Sequence, residues 1–236
     1  MKIYIGFDAK EQSAYRVCEY SLRSTCNEKL DIEPLDFTRA IYRRPYEKRG
    51  DQRYDGIDGT PFSTSFSFAR FLVPMLQDHK GWAMFVDCDF LFTDSVVNLW
   101  GLADITKAVQ VVKHDYHPPA GYKMDGQQQT SYPRKNWSSL VLWNCGHPAN
   151  RFLTINDVNS KPGWWLHGFS WLQDEHIGEL PMEWNYLVGH YPEKPKAKPK
   201  ALHYTTGGPW FPEHEKCDFA ADWNAAKTAM EQGLKI

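Results

Sequence analysis

Two aspartates one residue apart, Asp87 and Asp89, interrupt the apolar segment FVDCDFLF at residues 85–92. A buried carboxylate is costly unless something pairs with it, so we expect the pair at the open end of a strand or around a cation. Residues i and i+2 of a strand point to the same side, which would aim both carboxylates together. Oxygen ligands of this kind select Mg²⁺ or Mn²⁺, which also bind substrate phosphates.

Two other interpretations of the pair stay open. The aspartates could be solvated turn residues, although apolar residues flank them on both sides. Phosphatases of the haloacid dehalogenase type also carry two such aspartates after an apolar strand. Their motif lies near the start of the chain and continues with a Gly/Thr pattern, whereas Phe90 and Leu91 follow here.

The composition limits the class of protein. The chain has 236 residues, of which 42% are hydrophobic, which is enough for one sizeable core. A formal net charge of −2 gives no global basic character that would indicate nucleic acid as a partner. No run reaches the roughly 18 apolar residues of a membrane span, and the apolar start is too short for a signal peptide. With five scattered cysteines and no CxxC motif, we expect a cytoplasmic protein with reduced thiols.

Alternating strand and helix patterns predict a layered α/β fold around the aspartates. Strands are predicted at 2–7, 30–37, 82–92, 108–114 and 138–144, helices at 11–24, 63–76, 148–158 and 219–234, and loops at 39–60 and 115–135. This alternation indicates a mostly parallel sheet, and such sheets bind ligands beyond the carboxyl ends of their strands. The run that contains Asp87 and Asp89 begins at Trp82, so the pair lies where a ligand is expected.

Five segments occur in a fixed order, namely FARFLVP, FVDCDFLF, SSLVLWN, DEHIGELPMEWN and LHYTTGGPW. Their order and spacing resemble nucleotide-sugar glycosyltransferases of the GT-A fold and are similar to glycosyltransferase family 8, the glycogenin and bacterial galactosyltransferase group. The resemblance runs from Lys2 to about Trp210. It implies a Rossmann-like single domain at 1–236 with a mostly parallel central sheet. The nucleotide-binding part would be at about 1–115 and the acceptor-side part at about 116–236.

The resemblance also implies functional residues. Asp87 and Asp89 match the family's aspartate pair, which binds a divalent cation, Mn²⁺ or Mg²⁺, and the diphosphate of the sugar donor. His203 matches the histidine that completes the metal shell. The matching donor-binding positions are Phe7, Asp8, Arg70, Gly207, Gly208 and Trp210. The acceptor-side positions are Ser138, Ser139, Trp184 and Asn185. The catalytic positions are Asp174 and Glu175.

A structural role is the alternative for several of these positions. Arg70 could form an ordinary ion pair, His203 and Trp184 could be core residues, and Asp174 and Glu175 could begin a helix. In its catalytic role, Glu175 replaces a glutamine of the family, and its carboxylate could stabilise an oxocarbenium-like transition state.

The sequence departs from the family pattern at two places. The lysine that the family carries after the metal-binding histidine is missing from the GGPW segment. Four lysines just upstream could neutralise the departing diphosphate instead, although a solvated run is the other interpretation of Lys194, Lys196, Lys198 and Lys200. The acceptor strand opens with Trp137, Ser138 and Ser139 where the family often has Asn-Ala/Ser-Gly.

The implied function is metal-dependent transfer of a sugar from a nucleoside-diphosphate sugar, a UDP-sugar, to a hydroxyl group of a glycan or another acceptor. Retention of the anomeric configuration and a role in bacterial surface-glycan synthesis follow from the same resemblance. The alternatives are a carbohydrate- or nucleotide-binding protein without turnover and a phosphatase of the haloacid dehalogenase type.

Overall fold

The computed structural model describes residues 1–115, 121–122, 128–129, 134–191, 195 and 197–235. Its strands are β1 Lys2–Gly6, β2 Asp31–Leu35, β3 Tyr46–Arg49, β4 Gln52–Asp55, β5 Pro61–Phe62, β6 Trp82–Val86, β7 Phe90–Phe92, β8 Val109–Val111, β9 Gly121–Tyr122, β10 Gln128–Gln129, β11 Leu140–Asn144, β12 Ile177–Glu179, β13 Tyr186–Leu187 and β14 Ala201–His203. Its α-helices are α1 Gln12–Ser24, α2 Val73–Leu76, α3 Val96–Trp100, α4 Ile155–Ser160, α5 Gly163–His167 and α6 Ala220–Glu231.

Within the described residues, a central sheet of six strands has the order β12-β8-β11-β6-β1-β2. β1 is parallel to both β2 and β6, β8 is parallel to β12, and β11 is antiparallel to β6 and β8. Five of these six strands therefore run in one direction, which confirms the predicted mostly parallel α/β sheet. Pro34 lies in β2 at the sheet edge, where a residue without an N–H group is tolerated.

The core packs on both sides of this sheet. All five residues of β11 and four of the five in β6 are buried, as expected for central strands covered on both faces. Helix α1 buries the predicted face of Ala14, Val17, Cys18, Ser21 and Leu22. None of the helices formed by the described residues is long and apolar enough to cross a membrane.

The predicted strand at 82–92 is divided at the two aspartates. β6 ends at Val86, and β7 begins at Phe90 and joins a second sheet of order β13-β14-β7. The pairing of β7 with β14 places Phe90 opposite His203. The turn between β6 and β7 therefore connects the two sheets, and it brings a distant histidine next to the aspartates.

The prediction of a loop at 39–60 is wrong. β3, β4 and β5 form a three-stranded antiparallel sheet there. Every residue of β3 is exposed, so the segment has no apolar alternation from which a strand could be predicted. A buried ion pair holds the sheet to the body, since Arg44 Nε donates to Asp55 Oδ1 at 2.8 Å and its guanidinium lies 4.1 Å from the Phe68 ring centroid.

The helix predicted at 63–76 is much shorter in the structure. A 3₁₀ turn at Ala69–Leu72 is followed by the four residues of α2. Pro74 lies in the first turn of α2, where its missing N–H is tolerated. The helix predicted at 148–158 is likewise divided, and Thr154 caps α4 through a capping box with Asp157.

Candidate metal and sugar-donor site

Three predicted metal ligands lie together at the carboxyl end of β6. One ligand atom each from Asp87, Asp89 and His203 lies within 4.8 Å of the other two. His203 Nε2 is 3.3 Å from Asp89 Oδ2. The site lies beyond the carboxyl ends of parallel strands, where α/β sheets bind their ligands.

The hydrogen bonds around His203 determine its tautomer. Ser139 Oγ donates to the Asn136 carbonyl at 2.6 Å, so it accepts from Asn185 Nδ2 at 2.9 Å. Asn185 Oδ1 therefore faces His203 Nδ1, at 2.8 Å, and accepts its proton. The Phe90 ring stacks on the imidazole with centroids 4.3 Å apart and fixes its plane. His203 consequently turns Nε2 toward the aspartates, which is how a histidine ligand is oriented in protein metal sites.

This arrangement fits a divalent cation. With Nδ1 held by Asn185, His203 presents Nε2 to the Asp89 carboxylate at 3.3 Å, and a positive charge bound between a nitrogen lone pair and a carboxylate would stabilise both groups. Two carboxylates and one imidazole provide oxygen and nitrogen ligands for such an ion. Asp87, Asp89 and His203 would hold it.

Arg70 is part of the same cluster. Its Nη1 lies 2.9 Å from Asp87 Oδ1 and donates to the Ser138 carbonyl at 2.8 Å. The guanidinium also lies 4.9 Å from the centroid of the Phe85 ring. Arg70 is 6% exposed, so its ion pair with Asp87 is inside the site rather than on the surface. Asp87 N–H additionally donates to the Ser139 carbonyl at 2.8 Å, which ties the aspartate turn to the start of β11.

These residues line a cleft with a volume of about 240 Å³. The predicted site residues that line it are Arg70, Asp87, Asp89, Ser138, Ser139 and His203. Sequence reasoning missed other lining residues, among them Lys135, Trp164, His167 and Thr205. Thr205 lies two residues after His203, in the segment LHYTTGGPW. Nothing in the local sequence of the other three signals a site, because α5 and the turn before β11 are placed there only by the tertiary fold.

His167 is the most informative of the missed residues. Its Nδ1 is 2.8 Å from Ser138 Oγ, and its ring packs against Phe68 and Phe71 with centroids 5.8 and 5.2 Å away. Burial, followed by the positive charges of Arg70 and Lys135, holds the pKa of His167 well below its usual value. The imidazole in the cleft is therefore neutral.

Phe7 and Asp8 lie at the end of β1. Phe7 packs edge-on against Tyr15, with ring centroids 5.3 Å apart, and both line a second, more open groove. Asp8 is buried and accepts hydrogen bonds from Lys10 N–H at 3.1 Å and from Ser65 N–H at 2.9 Å. Burial acts to raise the pKa of Asp8, but these hydrogen bonds and Arg53 lower it below its ordinary value. Asp8 thus fixes the loops beside the groove, and its contact with a nucleoside stays a prediction.

The glycine segment after His203 does not line the cleft. Gly207 has a φ of +119° and donates its N–H to the Tyr204 carbonyl at 2.8 Å, which closes a turn. A Cβ on Gly208 would lie 2.1 Å from the Trp210 ring, and that ring packs against Trp223 at 5.3 Å between centroids. This segment therefore anchors α6, and its contact with phosphate stays a prediction.

Two of the four lysines suggested for the diphosphate are engaged on the surface. Lys198 Nζ is 3.0 Å from Asp222 Oδ1, and Lys200 Nζ is 2.6 Å from Glu183 Oε1. Lys194 and Lys196 lie outside the described residues.

Asp174 and Glu175 are not among the residues that line the cleft. They lie in a 3₁₀ turn just before β12, which pairs in parallel with β8, so the turn is near the amino ends of these strands. Asp174 pairs with Arg134, and the Glu175 carbonyl accepts a hydrogen bond from Lys107 at the start of β8. The aspartate pair follows the carboxyl end of β6. The described geometry therefore does not bring Asp174 and Glu175 to the site, and their catalytic role stays a prediction.

The predicted acceptor residues divide into two groups. Ser138 and Ser139 line the cleft, whereas Trp184 is fully buried and lies 5.3 Å from Lys200 Nζ. Trp184 is a core residue and offers no surface on which a sugar could stack, which corrects its assignment. Asn185 is also fully buried, and its contact with His203 makes it a support for the metal site.

Comparisons with known proteins agree with this architecture. No family model matches the chain. Protein CDI of Arabidopsis thaliana is 46% identical over 225 residues, which cover 94% of this chain and 84% of that protein.

Solved structures of glycosyltransferases share the fold. The galactosyltransferase LgtC, crystallised with donor and acceptor sugar analogs, has a TM-score of 0.58 and 13% identity, over 97% of this chain and 96% of that chain. The bifunctional glycosyltransferase WbbM has a TM-score of 0.66 and 17% identity. That match covers 99% of this chain but 51% of WbbM, so the chain spans about half its length. GlyE of Streptococcus pneumoniae has a TM-score of 0.59 and 15% identity, over 98% of this chain and 62% of GlyE.

These solved structures show the fold, and the sequence similarity shows the family. The chain has the fold of the GT-A glycosyltransferases and belongs to the family of the Arabidopsis Protein CDI.

Proposed function

We propose that the protein is a metal-dependent glycosyltransferase that moves a sugar from a UDP-sugar to a hydroxyl group of an acceptor. The observation that carries the proposal is the cluster of Asp87, Asp89 and His203 within 4.8 Å, in a cleft at the carboxyl end of β6. The GT-A fold adds weight to it, because the solved structures with this fold are glycosyltransferases.

Each residue of the cluster has a defined task in this proposal. Asp87, Asp89 and His203 would hold Mn²⁺ or Mg²⁺, which supplies Lewis-acid stabilisation of the charge that develops on the departing diphosphate. Asn185 keeps His203 in the tautomer that presents Nε2 to the site. Arg70 orients Asp87 and brings a further positive charge to the cleft, as does Lys135. In this proposal, these two cations neutralise the departing diphosphate in place of the lysine that the family carries and this chain lacks.

The acceptor would approach over the rim formed by α5. Trp164 lines the cleft and is 58% exposed, which is unusual for so large an apolar side chain. An exposed indole beside a site offers a flat face on which a sugar ring can stack. Retention of configuration and a UDP rather than another base remain part of the proposal on the strength of the family resemblance. The cytoplasmic location and the bacterial surface-glycan role also stay predictions.

A non-catalytic sugar- or nucleotide-binding protein is the second candidate, because the predicted carboxylates Asp174 and Glu175 lie away from the cleft. The GT-A fold gives no support to the phosphatase alternative. A panel of nucleoside-diphosphate sugars, each with Mn²⁺ and with chelator, separates the remaining two. A donor at a hundred times its Kd adds about 2.7 kcal/mol, which is roughly 5–10 °C in Tm for a chain of this length.

Turnover decides the assignment. A transferase should show a Tm shift that chelator abolishes and should transfer the sugar to an acceptor or hydrolyse the donor. Binding without either reaction would favour the non-catalytic candidate. Absence of a shift with any donor, in folded protein, would contradict both.

A further inference from the structure

An exposed carboxylate and an exposed indole lie together at the rim of the cleft. Asp58, in the turn between β4 and β5, and Trp164, in α5, both line the cleft and are both exposed. Asp58 Oδ2 accepts a hydrogen bond from the Gly163 N–H at 3.1 Å. The carboxylate is therefore next to the residue that precedes Trp164, although the two segments are about a hundred positions apart in the chain.

The protein holds the Asp58 carboxylate at both of its oxygens. Thr60 donates to Oδ1 from its N–H at 3.0 Å and from its hydroxyl at 2.5 Å, while Gly163 donates to Oδ2. These contacts fix the orientation of the carboxylate before any ligand enters. A group that is already oriented loses little conformational freedom when it binds, which favours affinity.

The Asp58 carboxylate is ionised and accessible. Burial acts to raise the pKa of Asp58, but the hydrogen bonds from Thr60 and Gly163 lower it below its ordinary value. An ionised carboxylate accepts hydrogen bonds and donates none. Because the side chain is exposed, hydroxyl groups of a ligand at the rim can donate to it.

The chemistry of this pair suits a neutral sugar. One face of a sugar ring is rich in C–H groups and can stack on the indole of Trp164. The hydroxyl groups at the edge of the ring can donate charge-assisted hydrogen bonds to Asp58. A ligand with its own negative charge would instead be repelled by Asp58.

The rim and the metal site belong to one cleft. A Cβ on Gly163 would lie 3.0 Å from the Phe68 ring, so α5 packs closely on that ring at the rim. Phe68 in turn lies 5.8 Å from the His167 ring between centroids, and His167 Nδ1 is 2.8 Å from Ser138 Oγ. These residues line the same cleft as the aspartates. A sugar on the rim can therefore direct a hydroxyl group toward a donor at the metal site.

We propose that Asp58 and Trp164 form the acceptor subsite and select a neutral sugar, with Asp58 as the residue that determines this specificity. The inference rests on the proposed function, because it needs a transferase that uses a sugar donor in the same cleft. It adds the class of the acceptor, which is a sugar residue without a negative charge. Its ring stacks on Trp164 and its hydroxyl groups donate to Asp58.

Three variants separate the charge of Asp58 from its structural contacts. Asp58→Asn keeps the size of the side chain and removes its charge. Thr60→Val removes one hydrogen bond that holds the carboxylate but keeps the charge. Asp104→Asn is the matched control, because Asp104 Oδ1 accepts from the Thr106 N–H at 2.8 Å and from its hydroxyl at 2.7 Å in the same kind of turn. Asp104 is not among the described residues that line the cleft.

The measurement is kcat and KM for neutral and anionic acceptors, with the sugar donor that the wild type uses. The acceptors are methyl β-galactoside and methyl β-glucoside, each compared with the uronide that carries a carboxylate at its C6 position. The wild type should prefer the neutral member of each pair. Asp58→Asn should raise KM for the neutral glycosides about tenfold, as expected for a lost hydrogen bond to a charged group, and should leave KM for the donor within about twofold of the wild type.

The preference for neutral acceptors is the readout that a purely structural role would not change. Asp58→Asn should reduce this preference, because the repulsion of the uronide is removed with the charge. Thr60→Val should keep the preference, since the carboxylate remains. Asp104→Asn should match the wild type in both KM values and in the preference.

Four results would overturn the inference. Equal use of neutral and anionic acceptors by the wild type would show that no charge guards the acceptor subsite. An unchanged preference in Asp58→Asn would place the acceptor away from Asp58. An equal loss of preference in Thr60→Val would reduce Asp58 to a clasp between the β4–β5 turn and α5. A wild type that hydrolyses its donor but is accelerated by no glycoside would refute this inference alone, whereas a wild type that neither transfers nor hydrolyses any donor would refute the proposed function and this inference with it.

Discussion

Asn185→Ala tests the way in which the fold prepares His203 for a metal. The substitution removes the oxygen that accepts the Nδ1 proton at 2.8 Å and the amide that donates to Ser139 Oγ at 2.9 Å. Without them the imidazole can rotate, and its proton can move to Nε2, where it would block the metal-facing nitrogen. Loss of such a supporting contact costs 10- to 100-fold in metal affinity, which is about 1.4–2.7 kcal/mol.

The assay is titration of Mn²⁺ in the presence of UDP, followed by calorimetry. The matched control is Asn150→Ala, because Asn150 is also fully buried and its amide donates two hydrogen bonds of 2.8 Å, to the carbonyls of Ala108 and Asn144, which are outside the cleft. Both variants should lose stability, since each leaves buried polar groups without partners at a cost of about 1–3 kcal/mol.

Only Asn185→Ala should lose metal affinity. Equal Mn²⁺ affinity in Asn185→Ala and the wild type would refute the reasoning about the tautomer. An equal loss of affinity in Asn150→Ala would show that general destabilisation, and not the contact with His203, weakens the site.

Three further predictions concern stability, pH and the acceptor. Arg44→Met should lower the free energy of unfolding by about 3–5 kcal/mol, because it leaves Asp55 buried without its cation. Lys48→Met, which removes an exposed ion pair, should change the free energy of unfolding little. Equal chemical-denaturation curves for the two variants would contradict the predicted difference. Burial, with a contribution from the nearby His203, lowers the pKa of His114 to about 3. The neutral His114 side chain therefore contributes its full stability above about pH 6.5, and the free energy of unfolding in chelator should fall by about 2 kcal/mol by pH 5. His114→Gln should lack this loss, and parallel pH profiles of stability for the variant and the wild type would contradict the lowered pKa. Trp164→Ala should raise KM for the acceptor about twofold to tenfold, which corresponds to the free energy of one stacking contact, and should leave KM for the sugar donor unchanged. An unchanged KM for the acceptor would show that the acceptor does not bind at Trp164.

The aspartate pair and the parallel sheet were predictable from sequence because both rest on local patterns. The i, i+2 spacing of Asp87 and Asp89 after an apolar run determines their common direction, and alternating strands and helices determine the sheet. The position of His203 needed the family resemblance, since its contact with Asp89 arises from the pairing of β14 with β7 across more than a hundred residues.

Other features depend on tertiary contacts that leave no local signal. The sheet at β3–β5 consists mostly of polar residues, with β3 fully exposed, and is held by the buried Arg44–Asp55 pair. The sequence allowed Trp184 to be either a core residue or a surface residue on which a sugar stacks, and only its burial in the structure distinguishes the two roles. His167 reaches the cleft because its ring packs against Phe68 and Phe71 and its Nδ1 contacts Ser138, and no spacing in the segment around it indicates these contacts. Contacts distant in sequence therefore account for most of what sequence reasoning missed.

Calorimetric titration of Mn²⁺ into the protein with UDP, for the wild type and for Asp89→Asn, tests the central claim most directly. Asn at this position keeps the size of the side chain but removes a carboxylate that lies 3.3 Å from His203 Nε2. Saturable Mn²⁺ binding that UDP strengthens in the wild type and that Asp89→Asn abolishes, with an unchanged circular dichroism spectrum, is the predicted result. Equal binding of Mn²⁺ and UDP by both proteins, or none by the folded wild type, would contradict a metal-dependent donor site at Asp87, Asp89 and His203.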